Sequence, residues 1–190
     1  MKTILYVHGL SSSGNSRTVN IIRRLLPEYH IIAPDLPFDP QEALTLLNNL
    51  CDQKQPDLIV GSSMGGMFAQ KLKGYKKILI NPAFHVSVHM RQIIGTETFY
   101  NPRKDGIQTY EITPELCDAY ENMEKVQFDD VDQREMELTH ALFGRNDLLV
   151  NCQEEYKMHY PYFTLFDGEH SLTEEEIAEV LIPLIEGHLK

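Results

Sequence analysis

Leu58-Ile59-Val60-Gly61-Ser62-Ser63-Met64-Gly65-Gly66 runs from an apolar segment into Gly-x-Ser-x-Gly and on into a helical pattern at Phe68-Ala69-Gln70-Lys71-Leu72. The order of these parts matters more than the pentapeptide, which is short enough to arise by chance. A buried strand that turns sharply into a helix lifts the middle residue, Ser63, to the top of a sheet. The residues two before and two after it must then be very small, because a Cβ there would collide with the neighbouring chain; Gly61 and Gly65 meet that need. Ser63 would also lie at a helix N-terminus, where free N–H groups and the dipole favour a developing negative charge.

Working outward, the same alternation recurs on both sides. Ile4-Leu5-Tyr6-Val7 reads as a strand buried on both faces. It ends in a small polar loop, His8-Gly9-Leu10-Ser11-Ser12-Ser13-Gly14-Asn15-Ser16. Val19, Ile22, Leu25 and Leu26 then recur at helical spacing until Pro27. Ile31-Ile32-Ala33 is the next strand. Asp39-Pro40-Gln41-Glu42 has the form of an N-cap, a first-turn proline and a capping box, with Ala43, Leu44, Leu47, Leu50 and Cys51 on the buried face of the helix it opens. Lys77-Ile78-Leu79-Ile80 is the fourth strand and ends in Asn81-Pro82. Strand–helix alternation of this kind builds a parallel sheet with helices on both faces.

The pattern breaks from Ala83 to about Glu137, where no buried strand is evident. Asn101-Pro102-Arg103-Lys104-Asp105-Gly106 is turn chemistry, and Thr113-Pro114-Glu115 opens a helix through Met123. We expect residues 83–137 to form a cap insertion over the end of the sheet, within one domain spanning 1–190. The alternation resumes with the strand His140-Ala141-Leu142-Phe143, which leads to Gly144-Arg145-Asn146-Asp147. Tyr162-Phe163-Thr164-Leu165-Phe166 is the last strand and leads to Asp167-Gly168-Glu169-His170. Thr173-Glu174-Glu175-Glu176 is a second capping box, and Ile177, Val180, Leu181 and Leu184 give the last helix its apolar stripe, with a kink expected at Pro183.

The composition narrows the function classes. The 190 residues suffice for one full core, and 42% hydrophobic with 24% charged is an ordinary globular mixture. A net charge of −11 argues against nucleic acid or an anionic membrane as the main partner, since both are polyanions. Cys51, Cys117 and Cys152 are odd in number and widely spaced, which excludes a disulfide framework or a zinc cluster and fits a reducing compartment. The start, Met1-Lys2-Thr3-Ile4-Leu5, lacks a signal-peptide pattern, and no run approaches the roughly 20 apolar residues that span a bilayer. A cytoplasmic protein is expected. The loop after the first strand matches neither phosphate-cradling glycine motif, so nucleotide binding is not expected.

A serine hydroxyl needs a base to take its proton, and the base needs a carboxylate to fix its tautomer. In a parallel sheet such groups lie on loops after strands. Ser63, Asp147 and His170 all follow predicted strands, with His170 as base and Asp147 as acid. Asp35 and Asp167 compete for the acid role, and Asn146-Asp147 also suits a plain turn. Two N–H donors are needed for an oxyanion. Met64, next to the nucleophile, supplies one, and Leu10 is chosen for the other. His8 reads as a residue that shapes this loop. His85 and His89 could share a helix face but lack a third metal ligand. The acidic second half of the insertion reads as a solvated face.

His8-Gly9, Gly61-Ser62-Ser63-Met64-Gly65-Gly66, Gly144-Arg145-Asn146-Asp147 and Gly168-Glu169-His170 together resemble the α/β-hydrolase superfamily along the whole chain. Asn81-Pro82-Ala83, Asn101-Pro102 and Thr113-Pro114-Glu115-Leu116, with the compact length, are similar to the small YqiA/YcfP-type esterase-like proteins. The resemblance implies an α/β-hydrolase fold with a mostly parallel central sheet, and a Ser–acid–His order that Ser63, Asp147 and His170 match. It leads to an expected serine hydrolase that cleaves an ester or thioester of a small acyl substrate, with no metal or organic cofactor. Amide hydrolysis by the same triad and a non-catalytic scaffold that binds a small molecule or a protein are the alternatives.

Overall fold

The computed structural model describes residues 1–190. Its strands are β1 (Thr3–Val7), β2 (His30–Ile32), β3 (Leu58–Ser62), β4 (Lys77–Ile80), β5 (Gly95–Thr98), β6 (Thr109–Ile112), β7 (Thr139–Gly144) and β8 (Tyr162–Phe166). Six of them form one sheet in the order β2-β1-β3-β4-β7-β8, and every pairing in it is parallel. The helices are α1 (Arg17–Leu25), α2 (Pro40–Lys54), α3 (Met64–Lys71), α4 (Val86–Met90), α5 (Pro114–Lys125), α6 (Gln133–Leu138), α7 (Gln153–His159), α8 (Glu174–Glu176) and α9 (Ile182–Leu189). None is long and apolar enough to cross a membrane.

The two-residue period of a strand divides the core between the faces of the sheet. Leu5, Val7, Ile59, Leu79, Ala141 and Phe143 point to one side, where they meet α2, α3, α5 and α7. Ile4, Tyr6, Leu58, Val60, Ile78 and Leu142 point to the other, against α1 and the C-terminal helices. Both faces are covered, which is why the strands read as continuous apolar runs. Chain order reverses between β1 and β3, because β2 lies outside β1 while β4 and β7 continue beyond β3. The carboxyl ends of β1 and β3 flank this switch point, the usual place for a ligand crevice in an open α/β sheet.

Several local expectations meet refinements here. Leu25 is exposed and Ile21 takes its place in the core. Asp39 caps α2 through the N–H groups of Gln41 and Glu42. At Thr173 and Glu176 both halves of the capping box form. The irregularity expected at Pro183 is a π-helical turn over Ile177–Leu181, closed by the Ile182 N–H bonding Ile177 O. That wider turn ends two residues before the proline and joins α8 to α9.

Between β4 and β7 the chain leaves the sheet. It contains a feature not expected from the sequence, an antiparallel hairpin of β5 and β6 with Gly95 opposite Ile112 and Thr98 opposite Thr109. Gly-Thr-Glu-Thr and Thr-Tyr-Glu-Ile have no apolar run, only a half-buried alternation in which Tyr110 and Ile112 are covered. Gly95 and Gly106 take positive φ (135° and 77°) in open space. The turn residues 101–106 connect the two strands, and Thr113 caps α5 as expected. The segment returns to the sheet through α6, where Glu135 pairs with the fully buried Lys77 of β4 and accepts the Gly74 N–H.

Three half-buried or buried histidines give the fold a pH dependence. Burial lowers the pKa of His8, His140 and His188 below the ordinary 6.5; His188 adds to the shift at His140, and Lys76 to that at His188. His140 on β7 and His188 on α9 face each other with ring centroids 5.4 Å apart. Below the ordinary value the unfolded chain therefore binds more protons than the folded one, so stability falls as pH drops from about 6.5 toward the lowered values. The melting temperature is expected to fall by several degrees between about pH 7.5 and pH 5.5, and the His140→Gln/His188→Gln double variant to lose part of that slope. Scanning calorimetry at the two pH values checks this, and a flat profile would contradict it.

Candidate active site

The turn after β3 is built as its glycines require. Ser63 has φ 56° and ψ −122°, a conformation L-residues rarely hold. It is held from the β4 side: the Ser63 N–H donates to Ile80 O at 2.9 Å, and the Ser63 carbonyl accepts the N–H groups of Gly66 and Ala83 at 2.8 and 3.1 Å. A Cβ on Gly65 would lie 2.0 Å from Val7 O, and one on Gly61 would lie 2.3 Å from Gly65 O. The helix α3 therefore packs backbone against backbone on β1, and Ser63 is presented above the sheet.

His170 and Asp147 reach Ser63 from the far side. His170 Nε2 lies 3.0 Å from Ser63 Oγ, and His170 Nδ1 lies 2.7 Å from Asp147 Oδ2. A carboxylate only accepts, so Nδ1 carries the proton and donates to Asp147. Nε2 is left as the acceptor for the serine hydroxyl. The Asp147 side chain is 4% exposed and that of His170 is 17% exposed. The carboxylate is shielded while the imidazole stays partly open. Asp147 is also the turn residue that its sequence suggested: its Oδ1 accepts the N–H groups of Leu149 and Val150 at 2.9 and 3.0 Å. The two readings are compatible, because each oxygen has its own partners.

The competing groups are committed elsewhere. Asp35 accepts the N–H groups of Gly14 and Lys104. Asp167 accepts from the Asn146 side chain. His8 is buried, with Nδ1 donating to Gly9 O and Nε2 accepting the Leu36 N–H at 3.1 Å. Burial also lowers its pKa, which suits a neutral residue that ties the loop after β1 to the loop after β2. His85 pairs with Glu155 instead of His89. The three cysteines are buried and free, and burial pushes the Cys51 thiol up to about 11, far from a reactive thiolate.

Met64 opens α3, so its N–H has no intrahelical carbonyl to meet. The Leu10 N–H, in the loop after β1, has no acceptor within the protein. Gly9 brings that loop against Ser63, since a Cβ on Gly9 would lie 3.2 Å from Ser63 Cβ. Leu10 and Met64 both line an apolar cavity roofed by Phe99, Tyr110, Leu116 and Tyr120, with about 20 Å³ of free space, room for about one water molecule.

One residue of this site carries more than its sequence suggested. Asn81, after β4, is buried and has φ 42°. Its Oδ1 accepts the Gly144 N–H at 2.7 Å, and its Nδ2 donates to the carbonyls of Glu169 and His170 at 3.0 and 2.9 Å. It thereby joins the loops that carry Asp147 and His170. The available signal was an Asn directly after a strand, the residue type that best tolerates positive φ after glycine.

A model of the uncharacterised protein family UPF0227 matches residues 3–185. Among solved structures, Est1E from Butyrivibrio proteoclasticus superimposes with a TM-score of 0.71 at 16% identity, covering 99% of this chain and 88% of that one. The alpha/beta hydrolase domain-containing protein 10 from mouse gives 0.69 at 15% identity, covering 98% and 89%. The esterase domain of a Rhodothermus marinus protein gives 0.64 at 18% identity, covering 98% and 86%. At these identities the likeness is one of fold, and the fold is that of the α/β hydrolases.

Proposed function

The chain belongs to the uncharacterised protein family UPF0227, and we propose that it is a serine hydrolase that cleaves an ester or thioester bond of a small acyl substrate. The observation that carries this reading is the unbroken hydrogen-bond chain from Ser63 Oγ through His170 to Asp147, set on a strained strand-to-helix turn. The names of the structural neighbours, one an alpha/beta hydrolase domain-containing protein and one an esterase domain, agree with it.

In this mechanism Ser63 Oγ attacks the substrate carbonyl carbon as its proton passes to His170 Nε2. Asp147 holds the imidazole in the required tautomer and stabilises its cation. The negative charge on the former carbonyl oxygen is met by the Leu10 and Met64 N–H groups and the N-terminal end of α3. Collapse breaks the bond to the leaving alcohol or thiol, which takes the proton from Nε2 as it departs. Water then repeats the sequence on the acyl-enzyme and restores Ser63. Every step uses side chains and backbone of this chain. The insertion at residues 83–137 acts as a cap, and the cavity beneath its hairpin takes the acyl group. The apolar lining of that cavity suits an acyl group.

Asp147→Asn tests the assignment of the acid. Loss of a triad aspartate leaves geometry intact but favours the wrong tautomer, and can cost roughly ten-thousand-fold in kcat. With p-nitrophenyl butyrate as the probe, a fall of at least about a thousand-fold is expected, and a fall of less than about tenfold would assign the acid role to another residue. Amide hydrolysis uses the same machinery, and a matched ester and anilide of one acyl group separate the two. A bound ligand released unchanged, with Ser63 unreactive, would favour a binding scaffold.

A further inference from the structure

The loop that carries Leu10 is a tight turn, with the Ser12 N–H bonding Gly9 O at 3.3 Å. Its third residue, Ser11, has φ 57° and is buried. That position of a turn takes positive φ at little cost only when it is glycine. A serine there needs to be held. If it relaxed to negative φ, the Leu10–Ser11 peptide would turn over, and the turn would lose the shape in which it meets the hairpin.

The holding contacts all come from the hairpin of the insertion. The hydroxyls of Ser11 and Tyr110 are hydrogen-bonded at 2.5 Å. The Tyr100 N–H donates to Ser11 O at 2.8 Å. Asn101 Nδ2 donates to Ser12 Oγ at 3.2 Å, and Ser13 Oγ donates to Pro102 O at 2.9 Å. Tyr110 is itself seated by stacking on Phe38, with ring centroids 5.1 Å apart and an interplanar angle of 11°. The hairpin that roofs the cavity is thus the same element that fixes the turn after β1.

We propose that Tyr110 is a positioning residue for the oxyanion hole: its hydroxyl holds Ser11 in the left-handed conformation and so keeps the turn that presents the Leu10 N–H pinned in place. This rests on the reading of Leu10 as an oxyanion donor. Its consequence is that seating the hairpin over the acyl group and completing the oxyanion hole are one event. An open hairpin leaves Ser63, His170 and Asp147 in place but the hole unformed.

The test is steady-state hydrolysis of p-nitrophenyl butyrate by Tyr110→Phe, Ser11→Ala and the double variant, each checked for folding by circular dichroism. Tyr110→Phe keeps the ring stack and Ser11→Ala keeps the strain, while both remove the same hydrogen bond. Each is expected to lower kcat by about tenfold, less than the hundredfold or more that outright loss of a donor costs, with KM within about twofold of the parent. Because the two hydroxyls act as one contact, the double variant is expected to be no worse than either single one. The proposal is overturned if Tyr110→Phe retains kcat within about twofold, if the two losses multiply in the double variant, or if the effect falls on KM alone. A merely structural hydroxyl would lower the melting temperature of both variants and leave kcat unchanged. A parent protein that neither turns over the ester nor takes a label at Ser63 would instead overturn the underlying reading.

Discussion

Replacing Ser63 with alanine is expected to remove turnover by at least about 10⁴-fold, and up to roughly 10⁶-fold, since the nucleophile of a triad acts as a unit with its base. The fold should survive. Ser63 supplies only its Oγ to His170, while its backbone bonds to Ile80, Gly66 and Ala83 do not depend on the side chain. Alanine inherits the strained φ of 56°, so its melting temperature should stay within a few degrees of the parent. Ser63→Gly should be equally inactive but more stable, because glycine relieves a strain that costs about 1–3 kcal/mol, against a loss of about 0.5–1 kcal/mol from its greater freedom in the unfolded chain. Ester hydrolysis and calorimetry on the two variants check this together. Activity retained by Ser63→Ala would remove Ser63 from the mechanism. A glycine variant less stable than the alanine variant would show that the turn is not strained.

Gly65→Ala is expected to have the largest effect on folding of any single-methyl change. Its Cβ would lie 2.0 Å from Val7 O, 2.6 Å from Val7 C and 2.7 Å from His8 O. All three are backbone atoms, on β1 and in the loop that carries Leu10, and none can swing aside as a side chain would. The only relief is to push α3 away from β1, which opens the core at Met64 and Phe68 and misplaces Ser63 at once. Overpacking of a core costs typically 1–3 kcal/mol where side chains can adjust, and more where backbone must move. We expect a loss of at least about 3 kcal/mol, or roughly 6–12 °C in melting temperature for a chain of this size, with activity lost in whatever folds. Gly187→Ala is the control. A Cβ there meets nothing within 4 Å on α9, and alanine should stabilise that helix by about 0.5–1 kcal/mol. Equal melting temperatures for the two variants would contradict the close approach of α3 to β1.

The parallel sheet was legible because its strands are buried on both faces and so stand out as apolar runs between helical periods. The loops after β3, β7 and β8 were legible for the same reason: each strand end marks where a side chain reaches the top of the sheet. The structure brings Ser63, Asp147 and His170 together from those three loops. The hairpin was hidden because its strands are four residues each and mostly polar, and only β6 buries any side chain, Tyr110 and Ile112. Tyr110 and Ser11, 99 residues apart, meet only through that hairpin. Asn81 was hidden differently. Its residue type suits a turn, and nothing local to Asn81-Pro82 reveals that its side chain spans to Gly144 and His170. Long-range side-chain to backbone bonds leave no periodic trace in a sequence. His8 shows the converse, since its place after β1 suggested a loop-shaping residue and its bond to the Leu36 N–H ties that loop to the one after β2.

The most direct measurement is peptide-mapped mass spectrometry after exposure to a fluorophosphonate, which reacts with an activated serine and spares ordinary ones. The protein has many serines but one whose hydroxyl faces a histidine held by a buried carboxylate. The predicted result is a single adduct on Ser63 that disappears in His170→Ala. No adduct on folded protein, or an adduct on Ser63 that persists undiminished without His170, would contradict the account.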